Sequence, residues 1–315
     1  MSPKTCVDAV IPVYRPDRDD KLLKLIGRLS SQTIPPGRII LMNTEEALFA
    51  PWAQRVGLTE KYPTVTVRHV PREAFDHAGT RNAGASCSDA AYLLFMTMDA
   101  VPADDRLVEQ LLTAMEEDPS CAVAYARQLP AASAGETERI ARRFNYPERS
   151  LRKTLADEQR LGIKASFSSN VCAMYRRAVF DELGGFAAPA IFNEDMVYAH
   201  AALHAGYSIW YRAEATVVHS HDYGASEQLH RNFDLGVSQA MHPEVFRRVS
   251  SEREGKRLVR ETVSHLRKCG RRREIPRYLW ICAARYTGFL LGKNYRLLPR
   301  SVILKCTNQK AFWKR

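Results

Sequence analysis

Apolar and polar positions switch between two periods along most of this chain, and each switch marks a strand giving way to a helix or the reverse. Val7-Asp8-Ala9-Val10-Ile11-Pro12-Val13-Tyr14 is rich in β-branched residues and carries a proline near its end, which predicts a strand. From Asp19 to Ser31 the apolar residues fall at Leu22, Leu23, Leu25, Ile26 and Leu29, a helical spacing. A turn cluster, Gln32–Gly37, leads into a second strand, Arg38–Asn43, then a helix around Leu48–Val56 and a third strand, Thr64–Val70. Ala91-Tyr92-Leu93-Leu94-Phe95-Met96 is an unbroken apolar run, as expected of a strand covered on both faces. Beyond it the pattern predicts a helix at Leu107–Met115 and strands at Cys121–Ala126 and within Ser166–Tyr175. A short helix, Arg176–Leu183, stops at Gly184-Gly185-Phe186, and a second, Met196–Ala205, stops at Gly206. The last strand is Ile209–Val218. Arg127 to Lys164 is polar, mixed in charge and without a strand pattern, so it is expected to be a helical or loop insertion that could cover a cleft. Strand and helix alternating at this pace predict an α/β fold on a parallel sheet of nucleotide-binding type.

Composition changes the picture at the C-terminal end. With 315 residues, 45% of them hydrophobic, the chain can bury a sizeable core, as one large domain or one domain with an extension. The net charge of +11 is unevenly placed: from Arg247 to Arg315 there are 20 Lys/Arg against 4 Asp/Glu, a balance of +16, which leaves the remainder at −5. From about Leu235 the chain reads as basic helices, so residues 1–234 are expected to form the catalytic domain and 235–315 a basic, amphipathic helical region. Two aromatic-aliphatic stretches, Tyr278-Leu279-Trp280-Ile281 and Tyr286 to Leu291, lie between Arg271-Arg272-Arg273 and the later cations Lys293, Arg296, Arg300 and Lys305. That pairing suits helices lying in an anionic membrane interface. The alternative is that the aromatics pack on the catalytic domain or on a second subunit, as in a homodimer. Nucleic acid is the weaker partner, since no recognition motif is present and the aromatics cluster with aliphatics instead of alternating with cations. No apolar run approaches the roughly 18–20 residues of a membrane span, and the N-terminus reads as no signal peptide. Seven cysteines, Cys6 among them, show no CxxC or zinc-type spacing, which suits reduced thiols in a cytoplasm.

The candidate chemistry sits where strands end. Thr97, Met98 and Asp99 follow the buried strand directly, and in open α/β sheets ligands bind outside the carboxyl ends of the strands. The competing reading of Asp99 is a cap for the helix that starts near Asp104. Phe75–Ala85 interleaves small residues with polar donors, allowing close backbone approach, and its Arg81 can pair with a phosphate or a carboxylate. No GKS or GKT follows, so it is not a P-loop. Glu194 and Asp195 open a helix, where acids also serve simply to complement the helix dipole. His219 and His221, two apart on an extended segment, point the same way, as metal ligands often do; surface or core histidines share that spacing.

Taken together these pieces resemble a glycosyltransferase of family 2 with the GT-A fold, a mostly parallel mixed sheet flanked by helices. Ile11-Pro12-Val13-Tyr14 is similar to the family's nucleobase-pocket strand. Thr97-Met98-Asp99 stands where the family has its DXD metal motif, with Thr97 in place of the first Asp. Gly184-Gly185-Phe186 and Asn193-Glu194-Asp195 resemble the GGF and ED elements, and His219 falls where many such enzymes place a histidine on the metal. A narrower resemblance is to bacterial rhamnosyltransferases of cell-surface polysaccharide assembly. It rests on Asn43-Thr44-Glu45-Glu46, Phe75–Asn82, Arg127-Gln128-Leu129-Pro130, Phe144-Asn145-Tyr146-Pro147 and the segment Leu291–Pro299.

The resemblance implies an inverting enzyme with Asp195 as base and Glu194 beside it. It places the donor on Pro12, Val13, Tyr14, Asn43, Thr44, Glu45, His77, Arg81, Thr97, Met98 and Asp99, and the acceptor near Gly184, Gly185, Phe192 and Asn193. Asp99 with His219 or His221 would hold Mg²⁺ or Mn²⁺. The implied donor is dTDP-β-L-rhamnose, giving an α-L-rhamnoside on a lipid-linked saccharide, with the enzyme attached peripherally to the inner face of the cell membrane. Alternatives are a UDP-hexose or UDP-galactofuranose donor, and, from other classes, an inactive assembly partner or a nucleic-acid-binding protein. Processive synthases of the same family normally carry membrane spans, which this sequence lacks.

Overall fold

The computed structural model describes residues 7–16, 21–221, 223–246 and 251–314, with backbone only at Ser251 and Glu252. The expected helix start at Asp19, together with Cys6 and Arg247, Arg248 and Arg315 of the basic tail, lies outside the described residues.

The first half is β1 (Val7–Val13), α1 (Lys21–Ser30), β2 (Ile39–Asn43), α2 (Glu46–Val56), α3 (Leu58–Lys61), β3 (Val65–His69), α4 (His77–Ala85) and β4 (Tyr92–Met96). It continues through β5 (Val101–Pro102), α5 (Leu107–Glu117), β6 (Cys121–Leu129), α6 (Glu136–Asn145), β7 (Leu151–Lys153) and α7 (Glu158–Leu161). Then come β8 (Cys172–Arg176), α8 (Arg177–Glu182), α9 (Glu194–His204) and β9 (Ser208–Val218). The helical remainder is α10 (Ala225–Met241), α11 (Pro243–Phe246), α12 (Ser251–Lys268), α13 (Ile275–Lys293) and α14 (Arg300–Cys306).

Among the described residues nine strands form one sheet in the order β3-β2-β1-β4-β8-β6-β9-β5, with β7 added on β9. The pairs β3–β2, β2–β1, β1–β4 and β6–β9 are parallel, while β8 runs antiparallel to both β4 and β6. One edge of the sheet therefore collects the carboxyl ends of β1, β2, β4, β6 and β9 and the amino end of β8. Tyr14, Asn43, Asp99, Gln128, Asn170 and His219 all lie along that edge, in the crevice where such sheets bind ligands. Apolar clusters cover both faces. Leu22, Leu25, Ile26 and Leu111 belong to one, and Phe95, Tyr175, Phe180, Phe186 and Tyr198 to the other.

The insertion expected between Arg127 and Lys164 is partly sheet. β6 runs on to Leu129, and Leu151–Lys153 pairs with Tyr211, Trp210 and Ile209 of β9. Three residues are too few to show a period, and Lys153 hides its place in the core. Its buried ammonium donates to the Tyr125 hydroxyl and the Lys164 carbonyl, each at 3.2 Å, and to the Phe167 carbonyl.

The expected boundary at Leu235 falls inside α10, a single helix. Gly236 of α10 meets the backbone of Phe289 and Lys293, while Gly288 and Gly292 of α13 meet the backbone of Leu229 and Phe233. Neither helix has room for a Cβ at these points, so the two backbones touch. Ile303 of α14 completes a third core with Phe233, Val237 and Ile191, which ties the C-terminal region to the segment leading into α9. Of the aromatic and aliphatic residues expected in a membrane interface, Tyr278 and Phe289 are buried, whereas Leu279, Trp280, Tyr286 and Leu290 are exposed. Among the described residues no helix is long and apolar enough to cross a membrane.

Candidate active site

Two groups of ionisable side chains face the cleft. The first is Asp99, His219 and His221. β5 follows Asp99 at once and pairs antiparallel with the end of β9, Val101 opposite Val218, so the Asp99 turn is set beside the histidines. His221 Nε2 lies 3.1 Å from Asp99 Oδ2, His219 Nε2 lies 3.5 Å from Oδ1, and the two Nε2 atoms are 2.8 Å apart. Gln128 Oε1 accepts from His219 Nδ1 at 3.0 Å, which fixes the tautomer and leaves Nε2 with its lone pair toward Asp99. Gln128 is itself held: its Nε2 donates to the Tyr146 hydroxyl and to Ser169 Oγ, and Arg142 donates to its Oε1. Burial lowers His219 and keeps the imidazole neutral. Burial alone would raise Asp99, but the two imidazoles packed against it, His219 and His221, outweigh that and hold it far below the usual carboxylate range.

This donor set fits a divalent cation. Cis ligands on an octahedral ion with bonds of about 2.1 Å stand roughly 3 Å apart, close to the separations seen here. The oxygen and nitrogen donors all lie within 4.8 Å of one another.

The second group is at the start of α9. Asn193, in the left-handed region at φ 59, turns the chain into the helix and donates to Ser238 Oγ at 3.2 Å. Asp195 accepts from the Asn170 N–H at 2.9 Å and from its own helix at the Met196 N–H. The Asn170 side-chain amide reaches Glu194 at 3.0 Å, and the Tyr175 hydroxyl donates to Asn170 Oδ1 at 2.8 Å. Tyr175 is locked in the aromatic cluster beneath, so packing fixes the two acids through one asparagine. Glu194 is buried against Arg81, 3.1 Å away. Burial works to raise Glu194, but the Arg81 charge, with His77 and the Asn170 amide, outweighs it and holds the group ionised. Burial and the neighbouring Glu194 charge push Asp195 up to about 7. Asp195 is only half-buried, so of the two acids that open α9 the one raised toward neutrality is also the one a ligand can reach.

Other residues of the expected set make protein contacts around α4 and the start of α9. Arg81, expected to pair with a phosphate or a carboxylate, is buried on the Glu194 carboxylate, and its Nη1 also donates to the His77 carbonyl. His77 meets Gln309 from beyond α14 at 3.0 Å. Gly184 and Gly185, expected near the acceptor, form a positive-φ turn that lies on α4, where Asn82 clasps the Phe186 backbone through both amide atoms. A Cβ on Gly185 would meet Asn82 Oδ1 at 2.9 Å. Phe192 lies under the Arg231 guanidinium at 4.8 Å.

At the other end of the cleft, Pro12 and Val13 end β1, and exposed Tyr14 lies beneath the guanidinium groups of Arg15 and Arg72 at 5.2 and 5.8 Å. Both arginines pair with Glu45, at 3.3 and 3.1 Å, and the Tyr14 N–H contacts Met98 Sδ. Three buried polar atoms here have no hydrogen-bond partner: Asn43 Oδ1, Thr44 Oγ1 and Thr97 Oγ1. Such orphans at the carboxyl ends of strands are what a bound ligand satisfies.

Sequence reasoning gave no role to Gln128, Asn170, Tyr175 or Arg231. The only local signal was a glutamine and an asparagine flanking otherwise apolar strands.

The sequence profile described as "Glycosyl transferase family 2" matches residues 8–184. The chain belongs to glycosyl transferase family 2. It is 35% identical over 309 residues to the O-antigen chain rhamnosyltransferase RfbN of Salmonella typhimurium, covering 98% of this chain and 96% of that protein. To WbaN of Salmonella anatum, another O-antigen chain rhamnosyltransferase, it is 39% identical over 241 residues, 76% of each. Among solved structures it is similar to the mannosyltransferase PcManGT of Pyrobaculum calidifontis, in complex with GDP-Man and Mn²⁺, with a TM-score of 0.58 at 14% identity, covering 100% of this chain and 89% of that one. S. aureus TarS 1–349 with UDP-GlcNAc gives 0.53 at 14%, covering 92% and 91%. The family 2 assignment and the GT-A fold expected from the sequence are thus borne out, and Asp195, His219 and His221 lie beyond the matched profile.

Proposed function

We propose that this family 2 glycosyltransferase is an inverting rhamnosyltransferase of bacterial polysaccharide assembly, moving L-rhamnose from dTDP-β-L-rhamnose to a lipid-linked saccharide at the inner face of the membrane. The rhamnosyl reading is supported by the two named relatives, one of them matched over nearly its whole length. The observation that carries the chemistry is one carboxylate near neutrality, Asp195, on the same sheet edge as the Asp99–His219–His221 triad.

In this reading the nucleobase lies against Tyr14 and the unpartnered Asn43 and Thr44 oxygens, between β1 and β2. Asp99, His219 and His221 would hold a divalent cation, which would supply Lewis-acid charge at the diphosphate, and two imidazoles to one carboxylate would favour Mn²⁺ over Mg²⁺. Gln128 keeps His219 in the tautomer that can bind it. Asp195 takes the proton of the acceptor hydroxyl as that oxygen attacks the anomeric carbon from the face opposite the leaving diphosphate. Asn170 keeps Asp195 aimed, and burial together with the charge of Glu194, which Arg81 holds ionised, keeps the affinity of Asp195 for a proton high. One displacement inverts the centre, so a β-L donor gives an α-L-rhamnoside.

The test is a donor screen with purified protein and a lipid-linked acceptor pool, comparing dTDP-rhamnose, UDP-glucose, UDP-galactofuranose and GDP-mannose. Consumption of dTDP-rhamnose with an α-linked product by NMR is expected. Preference for another donor would remove the rhamnosyl reading, and a β-linked product would remove the single displacement.

A further inference from the structure

Away from the cleft, a cavity of about 630 Å³ opens between α10, α12 and α13. Its walls are apolar, with Leu235, Leu258, Val259, Tyr278, Cys282 and Phe289 among them. Its volume falls in the range of small-molecule sites, roughly 300–1,000 Å³, and its lining is apolar as theirs is. Lys256, Arg260 and Arg285 also line it, and none of the lining residues is acidic. The surroundings repeat that chemistry. Leu279, Tyr286 and Leu290, at positions i, i+7 and i+11 of α13, share one exposed stripe, Trp280 stands beside it at 69% exposure, and α13 carries no Asp or Glu. Tyr286 belongs to both stripe and cavity, so the outer apolar surface runs into the inner one.

We propose that this cavity takes the apolar chain of a phosphate-headed lipid, the form in which the acceptor reaches the enzyme, with Lys256, Arg260 and Arg285 on its phosphate. The proposal rests on the reading of the acceptor as lipid-linked and gives that reading a place on the protein. An apolar lining that also carries three cations and no acid matches both parts of an anionic amphiphile. A second copy of this chain is a poorer occupant, because a self-complementary contact would bring the same cations together. The position also suits delivery. α10 lines the cavity with Asn232 and Leu235, while on neighbouring positions its Arg231 covers Phe192 and its Ser238 holds Asn193, the residues just before Glu194 and Asp195. A lipid seated here is therefore one helix away from the base.

The experiment uses the full chain, with farnesyl phosphate, farnesol and inorganic phosphate as probes followed by calorimetry. Farnesyl phosphate is expected to bind at one site and farnesol roughly tenfold or more weakly, since the charged contacts would be lost; inorganic phosphate should give no saturable binding there. Val259→Trp fills the cavity and should weaken farnesyl phosphate by at least about tenfold, whereas Arg285→Glu should remove the preference over farnesol and leave farnesol binding unchanged. Hydrolysis of the nucleotide sugar by both variants should match the unmodified protein. Equal affinity for farnesyl phosphate in the unmodified protein and Val259→Trp would overturn the proposal, as would a change in oligomer mass caused by Val259→Trp. Failure of the unmodified protein to transfer sugar from any donor to a lipid-linked acceptor pool would instead remove the lipid-linked acceptor reading, and lipid binding would still report on the cavity alone.

Discussion

Asn170 holds Asp195 through its backbone: the N–H lies 2.9 Å from Oδ2. The same residue reaches Glu194 with its side chain, so the two acids are set relative to one another by a group that carries no charge. Neither acid can move without breaking a hydrogen bond to Asn170. The arrangement separates their affinities for a proton, because Arg81 pairs with Glu194 alone.

The first prediction follows from that separation. Asp195, raised to about 7 by burial and by Glu194, is protonated below that pH, and a base must be ionised to act. Turnover should therefore fall as pH drops through about 7 and level off above it. Glu194→Gln removes the neighbouring negative charge, lowers Asp195 and should move the acid limb to lower pH. Asp195→Asn should reduce turnover by about 10²–10⁴-fold with donor affinity retained. A pH–rate profile whose acid limb stays put in Glu194→Gln would show that another group titrates.

The second prediction concerns Gln128, which touches no ligand in this reading and acts through His219. Gln128→Ala frees the His219 ring to take the wrong tautomer and should weaken Mn²⁺ binding about 10–100-fold, by electron paramagnetic resonance or calorimetry. Saturating Mn²⁺ should restore most of the turnover. Asp99→Ala should not be rescued in that way, because it removes the only carboxylate of the triad. Equal Mn²⁺ affinity in Gln128→Ala and the unmodified protein would rule out the orienting role.

The sheet was legible because buried parallel strands are near-continuous apolar runs, as Tyr92–Met96 is, and helices such as Lys21–Ser30 carry a clear apolar face. β7 was not, being three residues long with a lysine inward. The site divides the same way. His219 and His221 could be paired from their spacing alone, since alternate residues of an extended chain share a side. Arg81 could not be assigned, because local sequence cannot say which distant acid will take its charge, and Glu194 does. The aromatics of α13 read as one set along the sequence, yet a helix turns about 100° per residue. That rotation sends Tyr278 and Phe289 inward and leaves Leu279, Tyr286 and Leu290 outside.

The last prediction tests whether α13 is part of the core or an appendage. Gly292 touches the Phe233 carbonyl and Gly288 the Leu229 carbonyl, so an added methyl at either must push two backbones apart. Gly292→Ala gains helix propensity of about 1 kcal/mol and still should lose stability overall, by about 1–3 kcal/mol, because backbone cannot step aside as a flexible side chain can. Gly255 supplies the control. It lies in α12 with nothing within 4 Å of a built Cβ, so Gly255→Ala should gain about 0.5–1 kcal/mol. Urea midpoints of the two variants should move in opposite directions. A Gly292→Ala protein as stable as Gly255→Ala would mean that α10 and α13 do not meet closely. The third core shared by Phe233, Ile191 and Ile303 would then lose its support, and with it the link between the C-terminal helices and the loop that presents Asp195.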